Sequence, residues 1–288
     1  MVVSKDERRS KQHDVQFIGV ISDAPRLEVA LIKIISLLAG IFLLASCGST
    51  NTSFPTGSLG NPYKHPKTVS GLLILPEGDG PFPAVVLLHT CGGLRPHVTQ
   101  DWPDYLTDLG YAVLTVDSFG PRGVSSCTKL KFGKVFQAED AFGALEYLVT
   151  LPSIDAARIG VMGFSTGAIA INRHIVTSVK KSSEGANFKA AIALYGTCWG
   201  ISGYRADSVP LMEIAAENDV NHAPTCIAAG KTNPGIEVHV LPGANHAFDS
   251  HHRGGRYDSG GSYMQYSQSA TDMARQLTKK FFAKHLGT

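Results

Sequence analysis

From Thr68 onward, short apolar runs alternate with longer stretches whose apolar positions recur every three to four residues. Ser70-Gly-Leu-Leu-Ile-Leu75 reads as a strand closed by the Pro/Gly turn Pro76–Pro81. Pro83-Ala-Val-Val-Leu-Leu-His89 has no polar alternation, the mark of a central parallel strand buried on both faces. Helical spacing follows from about His97 to Leu109, with Gly110 as C-cap, and then the strand Tyr111–Val116 ends at Asp117. Ser118–Gly133 reads as a loop and Gln137–Thr150 as a helix with Ala138, Ala141, Leu145 and Leu148 on one face. Arg158–Met162 is a short buried strand, and Ala168–Val179 a helix packed on the sheet. Strands at Ala190–Tyr195, Pro210–Ala215 and Ile236–Leu241 precede an amphipathic closing helix, Thr271–His285. This rhythm predicts an α/β fold: one doubly wound, mostly parallel sheet with helices on both faces and no insertion long enough for a large cap. Gly254–Ser262, rich in Gly, Ser and Tyr, reads as a mobile surface loop.

The N-terminal part breaks the rhythm. Residues 1–26 are polar and charged, and Ile34–Ala45 is an apolar run behind Arg26 and Lys33. The run is short for a bilayer span and suits the apolar region of a signal peptide. It ends in Leu44-Ala-Ser-Cys47, which resembles the lipobox of bacterial lipoproteins. That resemblance implies cleavage before Cys47 and lipid attachment to its sulfur. The expected organisation is a leader at 1–46, a lipid-anchored linker at 47–67 and a catalytic domain at 68–288, held at the bacterial cell envelope. The alternative is a hydrophobic helix with an incidental cysteine.

Composition adds limits. The chain is 43% hydrophobic and 17% charged with a net charge of +2, and no basic cluster is interleaved with aromatics. Nucleic-acid binding has no support. Besides Cys47 there are Cys91, Cys127, Cys198 and Cys226, each placed after a predicted strand on one side of the sheet. In an exported domain these permit two disulfides. The preferred pairing joins neighbouring loops, Cys91 with Cys127 and Cys198 with Cys226; four reduced thiols is the alternative.

The chemistry concentrates at Gly163-Phe-Ser-Thr-Gly167, between a strand and a helix. A G-x-S-x-G pentapeptide at such a junction is the nucleophile elbow of the α/β-hydrolase architecture. Its serine sits in a strained turn, and its glycines let helix and strand approach without Cβ clashes. Ser165 is thus the candidate nucleophile, and it needs a base and a group to orient that base. In this architecture the order along the chain is nucleophile, acid, histidine. His246, between the last strand and the closing helix, is the candidate base; His239 lies within the strand and His285 at the terminus. Glu217 and Asp219 both follow the strand Pro210–Ala215 as candidate acids, whereas Asp249 comes out of order and Asp117 reads as structural. An oxyanion hole needs two backbone N–H donors. Thr166, after the nucleophile, and Cys91, in the loop His89-Thr-Cys-Gly-Gly93, are the candidates, with His89 a structural hydrogen-bonder. His251-His252 reads as solvated, and no metal or other cofactor is expected. Tyr257, Tyr263 and Tyr266 read as loop anchors, with lining of the acyl site as the alternative, and Arg122 as a structural pair or a carboxylate ligand.

The chain from about Ser70 to Leu286 resembles the dienelactone hydrolase family. The resemblance rests on Leu88–Gly93, Val116-Asp-Ser-Phe-Gly-Pro-Arg-Gly123, the elbow, the Glu217-Asn-Asp219 loop and Gly243-Ala-Asn-His-Ala-Phe248. It implies Asp219 as the acid, from the family's Gly-Glu-x-Asp pattern. It also implies an ester-cleaving serine hydrolase, working through an acyl-enzyme on a small-molecule ester. The departures are Ser165 where the name-giving enzymes carry cysteine, Thr90 where they carry glutamate, and Ala247–Ser250 where they carry an arginine. These argue against dienelactone itself. A peptidase or thioesterase on the same triad, or a non-catalytic envelope binding protein, are the competing expectations.

Overall fold

A computed structural model describes residues 48–59, 68–130, 133–178, 186–205, 207–252 and 254–287. The leader, Cys47 and the part of the expected linker at 60–67 lie outside the described residues. Eight strands form one sheet: β1 (Ser49–Pro55), β2 (Thr68–Ile74), β3 (Phe82–Leu88), β4 (Ala112–Asp117), β5 (Ile154–Phe164), β6 (Ala190–Leu194), β7 (Leu211–Ala216) and β8 (Ile236–Leu241). Their spatial order is β1-β2-β4-β3-β5-β6-β7-β8. The β1/β2 and β2/β4 pairs are antiparallel, and every pair from β4 to β8 is parallel. The parallel strands all point their C-terminal ends, and hence the loops that follow, to one edge of the sheet.

The uninterrupted apolar character of β3 follows from its central place. Ala84, Val86 and Leu88 enter one core, and Val85 and Leu87 the other. The first core is covered by α2 (Gly133–Leu148), through Ala138, Ala141, Phe142 and Leu145, and by Ala168–Val176 after the elbow. The second is covered by α1 (Trp102–Asp108), through Trp102 and Leu106, and by the closing helix α5 (Gln268–Leu286), through Phe281, Phe282 and Leu286. A wide π turn, His97–Asp101, leads into α1. The Ser267 hydroxyl caps α5 by accepting from the Ala270 N–H at 3.3 Å, which satisfies a donor left open at the helix start. Among the described residues no helix is long and apolar enough to cross a membrane.

Four local expectations are corrected. Residues 49–55 are not linker but edge strand β1, paired with β2 from Ser49↔Ile74 to Pro55↔Thr68. Its Ser/Thr composition reads as a tether because only Phe54 is buried, stacked on Tyr147 at 5.4 Å. Residues 56–59 continue onto α2, where the Gly57 N–H donates to Glu139 O at 2.9 Å. Second, the helix after the elbow is short: α3 (Thr166–Ala170) widens into a π turn at Ile171–Ile175. Third, Cys226 lies not in a loop but in α4 (Ala223–Thr232), a helix the apolar pattern leaves unmarked. Fourth, the Gly254–Ser262 stretch contributes to a hairpin of β9 (Arg256–Tyr257) and β10 (Tyr263–Met264). The sheet order and the parallel crossovers are those of an α/β-hydrolase fold, and no large cap is present among the described residues.

Candidate active site

Ser165 ends β5 and starts α3 with φ 53° and ψ −106°, a conformation that a non-glycine residue holds only when its surroundings impose it. The Ser165 N–H donates to Leu194 O at 3.0 Å, and its carbonyl accepts from Ile169 N–H at 3.0 Å, so both sides of the turn are tied down. Two further non-glycine residues take positive φ, Tyr195 after β6 and Ala247 after His246. All three lie at the edge where the parallel strands end. Strain of this kind concentrates where geometry is held for a purpose.

Ser165 Oγ lies 3.0 Å from His246 Nε2, and His246 Nδ1 lies 2.6 Å from Asp219 Oδ2. His246 and Asp219 are buried, whereas Ser165 keeps partial exposure. Burial alone would raise the Asp219 carboxyl above its ordinary range; hydrogen bonds from His222 and His246 outweigh it and hold the group well below that range. The acid stays ionised and the imidazole keeps its Nδ1 proton toward it. Glu217, the other candidate acid, is exposed and turns away to accept from the Gly243 N–H at 2.8 Å. Asp249 is buried beneath the site, accepting from Trp102 Nε1–H at 2.8 Å and Tyr195 O–H at 2.7 Å. Tyr195 in turn sets its ring edge against His246, 5.0 Å between centroids.

The loop after β3 folds tightly, with Gly93 N–H donating to Thr90 O at 3.0 Å and Gly92 N–H to Thr90 Oγ1 at 3.2 Å. His89 anchors it. Ser118 N–H donates to its Nε2 at 3.2 Å, which leaves the proton on Nδ1 to reach Thr90 O at 2.9 Å. Burial lowers the His89 pKa, so it stays neutral in that tautomer. Gln137 Nε2–H donates to His89 O at 2.7 Å. Cys91 is bonded to Cys127, and Cys198 to Cys226. Cys91 and Ser165 line one cavity of about 420 Å³, and Thr166 starts the helix beside it. Arg122 forms a buried ion pair with Asp140 at 2.8 Å, which leaves it no role as a carboxylate ligand. Asp117 caps the backbone amides of Phe119 and Gly120 at 3.0 and 2.8 Å.

The sequence reading passed over the β9–β10 hairpin as a surface loop. Arg256, Tyr257, Asp258 and Met264 line the same cavity, as does Arg95. Asp258 Oδ2 lies 3.9 Å from His246 Nε2, and the His246 N–H donates to Tyr263 O at 3.1 Å. The signal that could have marked the segment is its place between the histidine and the closing helix, a span the fold must return over the site. His251 pairs with Asp101 at 3.0 Å. Two groups of side chains have metal-ligand spacing among the described residues: Cys198, Glu213 and Cys226, and Asp219, His222 and His246. The first lacks thiolates because its cysteines are bonded to each other. In the second, the imidazole nitrogens nearest the carboxylate are its hydrogen-bond donors.

The model of the dienelactone hydrolase family matches residues 69–286. A protein of Azospirillum brasilense assigned as a carboxymethylenebutenolidase is 24% identical over 253 residues, covering 83% of this chain and all of the relative. Esterase FrsA of Klebsiella pneumoniae is 35% identical over 103 residues, which are 35% of this chain and only 23% of that protein. Among solved structures, a dienelactone hydrolase from Anabaena variabilis superposes with a TM-score of 0.60 at 18% identity, covering 83% of this chain and 99% of its own. At that identity the likeness speaks for the fold.

Proposed function

This chain belongs to the dienelactone hydrolase family, a hydrolase acting on esters, and we propose that it works as a serine esterase through an acyl-enzyme. The observation that carries this reading is the hydrogen-bonded run from Asp219 through His246 to Ser165, at 2.6 and 3.0 Å, on a strained elbow. His246 Nε2 takes the Ser165 Oγ proton as Oγ attacks the ester carbonyl, and Asp219 orients and stabilises the imidazolium. The Cys91 and Thr166 amides receive the oxyanion. Collapse expels the alcohol with the proton from His246, and water, deprotonated by the same imidazole, releases the acid. The cavity of about 420 Å³ suits a small or medium ester. Covalent labelling by a fluorophosphonate probe, lost in Ser165→Ala, is the expected result. A folded wild-type protein that neither labels nor turns over activated esters would refute the enzyme reading.

The envelope location is proposed from Leu44-Ala-Ser-Cys47 alone. With β1 beginning at Ser49, a lipid on Cys47 would leave only Gly48 before the sheet. Wild type should partition into detergent and Cys47→Ala should stay in the aqueous phase; equal partitioning would count against the anchor.

A further inference from the structure

Asp219 accepts more hydrogen bonds than its service to His246 accounts for. His222 Nδ1 lies 2.9 Å from Asp219 Oδ1 and 3.0 Å from Oδ2, bridging both oxygens. Facing a carboxylate at that range, the nitrogen must carry a proton, so His222 donates. Ser262 Oγ lies 2.9 Å from Asp219 Oδ1. An ionised carboxylate only accepts, so the Ser262 hydroxyl donates to it, while Asn221 Nδ2–H donates to Ser262 Oγ at 3.4 Å. We propose that His222 and Ser262 are positioning residues of the reaction. Together they clamp the Asp219 carboxylate so that Oδ2 faces His246, and this inference rests on the Ser165–His246–Asp219 reading above.

The clamp answers a physical problem. Asp219 is 1% exposed, and a buried carboxylate held by one donor either takes up a proton or turns about its broad χ2 well. Either change would leave the His246 imidazole without a fixed anionic partner. His222 sits three residues beyond the acid at the start of α4, where Asp219 O accepts from His222 N–H at 3.1 Å and Ala223 N–H at 2.9 Å. The imidazole is thereby held at the carboxylate by the same turn that carries it. Ser262 comes from the far side of the site. Asp258 Oδ1 fixes its turn by accepting from Gly260 N–H at 2.8 Å and Ser262 N–H at 2.9 Å. The hairpin thus both walls the cavity and completes the acid.

The test compares His222→Ala, His222→Asn and Ser262→Ala with wild type on an activated ester. The Asn amide nitrogen can occupy the place of the imidazole Nδ1 and restore the donor. The expected result is a fall of roughly 10-fold in kcat for His222→Ala with KM unchanged, short of the ~10² that follows a 1 Å misplacement. His222→Asn should recover most of that loss, and Ser262→Ala should show a smaller fall of the same kind. The downfield proton resonance of the His246–Asp219 hydrogen bond should broaden or shift in both Ala variants and return in the Asn variant. Should His222→Ala not fold, Ser262→Ala and His222→Asn carry the same readouts. Wild-type kcat and an unmoved resonance in folded Ala variants would overturn the clamp. So would an Asn variant as impaired as Ala, which would mark a packing role instead. Failure of wild type itself to label at Ser165 would strike the underlying reading, a separate outcome.

Discussion

Substituting Gly167 by Ala tests whether the elbow's close approach is a requirement of the fold. A Cβ at Gly167 would lie 2.4 Å from the carbonyl oxygen of Leu88 and 2.8 Å from its carbonyl carbon. Carbon and oxygen ordinarily meet at about 3.3 Å or more, so the shortfall is about 0.9 Å. The obstructing atoms are backbone of β3, which cannot step aside by a rotamer change. Relief requires α3 to move off the strand that carries the oxyanion loop. Overpacking costs about 1–3 kcal/mol, and a backbone obstruction belongs at the upper end. At about 2–4 °C per kcal/mol for a domain of this size, Tm should fall by roughly 6–12 °C. A displacement approaching 1 Å between nucleophile and base should also lower kcat/KM by about 10²-fold. Gly110→Ala separates clash from backbone strain: Gly110 has φ +87° but nothing within 4 Å of its would-be Cβ. It lies at the opposite edge of the sheet and should cost only the left-handed penalty of about 1–2 kcal/mol, with unchanged kinetics. Thermal melts and ester kinetics of both variants decide the matter. If Gly167→Ala melts within 2 °C of wild type and keeps its kcat/KM, the steric account of the elbow is wrong.

Glu213, buried on β7, has its carboxyl pushed well up by burial, with the Asn172 hydrogen bond opposing. Protonated, it can donate toward Cys226 Sγ at 3.6 Å, a sulfur that has no proton of its own to give. Because the folded value lies above the unfolded one of about 4.3, its contribution is fully present below that pH and is lost as pH rises through the folded value. Glu213→Gln, neutral throughout, should therefore raise Tm relative to wild type at pH 8 and change it little at pH 4; equal shifts at both would refute the linkage. Cys91–Cys127 closes 36 residues and Cys198–Cys226 closes 28, so chain entropy assigns them about 3.8 and about 3.6 kcal/mol. Paired Ser substitutions should lower the urea midpoint by similar amounts. The first should depress kcat more, since it bonds the loop that carries the proposed Cys91 oxyanion amide to Cys127 and leaves that loop only the Cys127 N–H to Cys91 O hydrogen bond at 2.9 Å when removed; equal kinetics in both double variants would contradict that.

The elements legible in the sequence are those whose signal is local. The central strands announce themselves because burial on both faces removes polar residues from Val85 to Leu88 and from Ala190 to Leu194. Parallel strands all deliver their loops to one edge, so the order Ser165, Asp219, His246 along the chain maps directly onto nearness in space. The missed elements lack that local mark. β1 buries a single aromatic, Phe54, and its remaining Ser and Thr side chains belong to an exposed sheet edge as naturally as to a tether. The hairpin β9–β10 is Gly-rich because its chain takes left-handed backbone at Gly255 (φ 67°) and Gly261 (φ 84°), and such turn residues look the same in any surface loop. Ser262 meets Asp219 across 43 residues of chain, and no periodicity relates two such positions. His222 is different: it lies in the acid's own loop, three residues on, and a donor there was open to inspection. The division has a physical cause. A parallel sheet converts sequence order into spatial order, whereas the antiparallel return over the site brings residues together by packing alone. The proposed nucleophile, base and acid, Ser165, His246 and Asp219, fall on the first side of that line. Of the two groups proposed to hold Asp219, His222 falls on the first side and Ser262 on the second, and they are where substitution should separate positioning from chemistry.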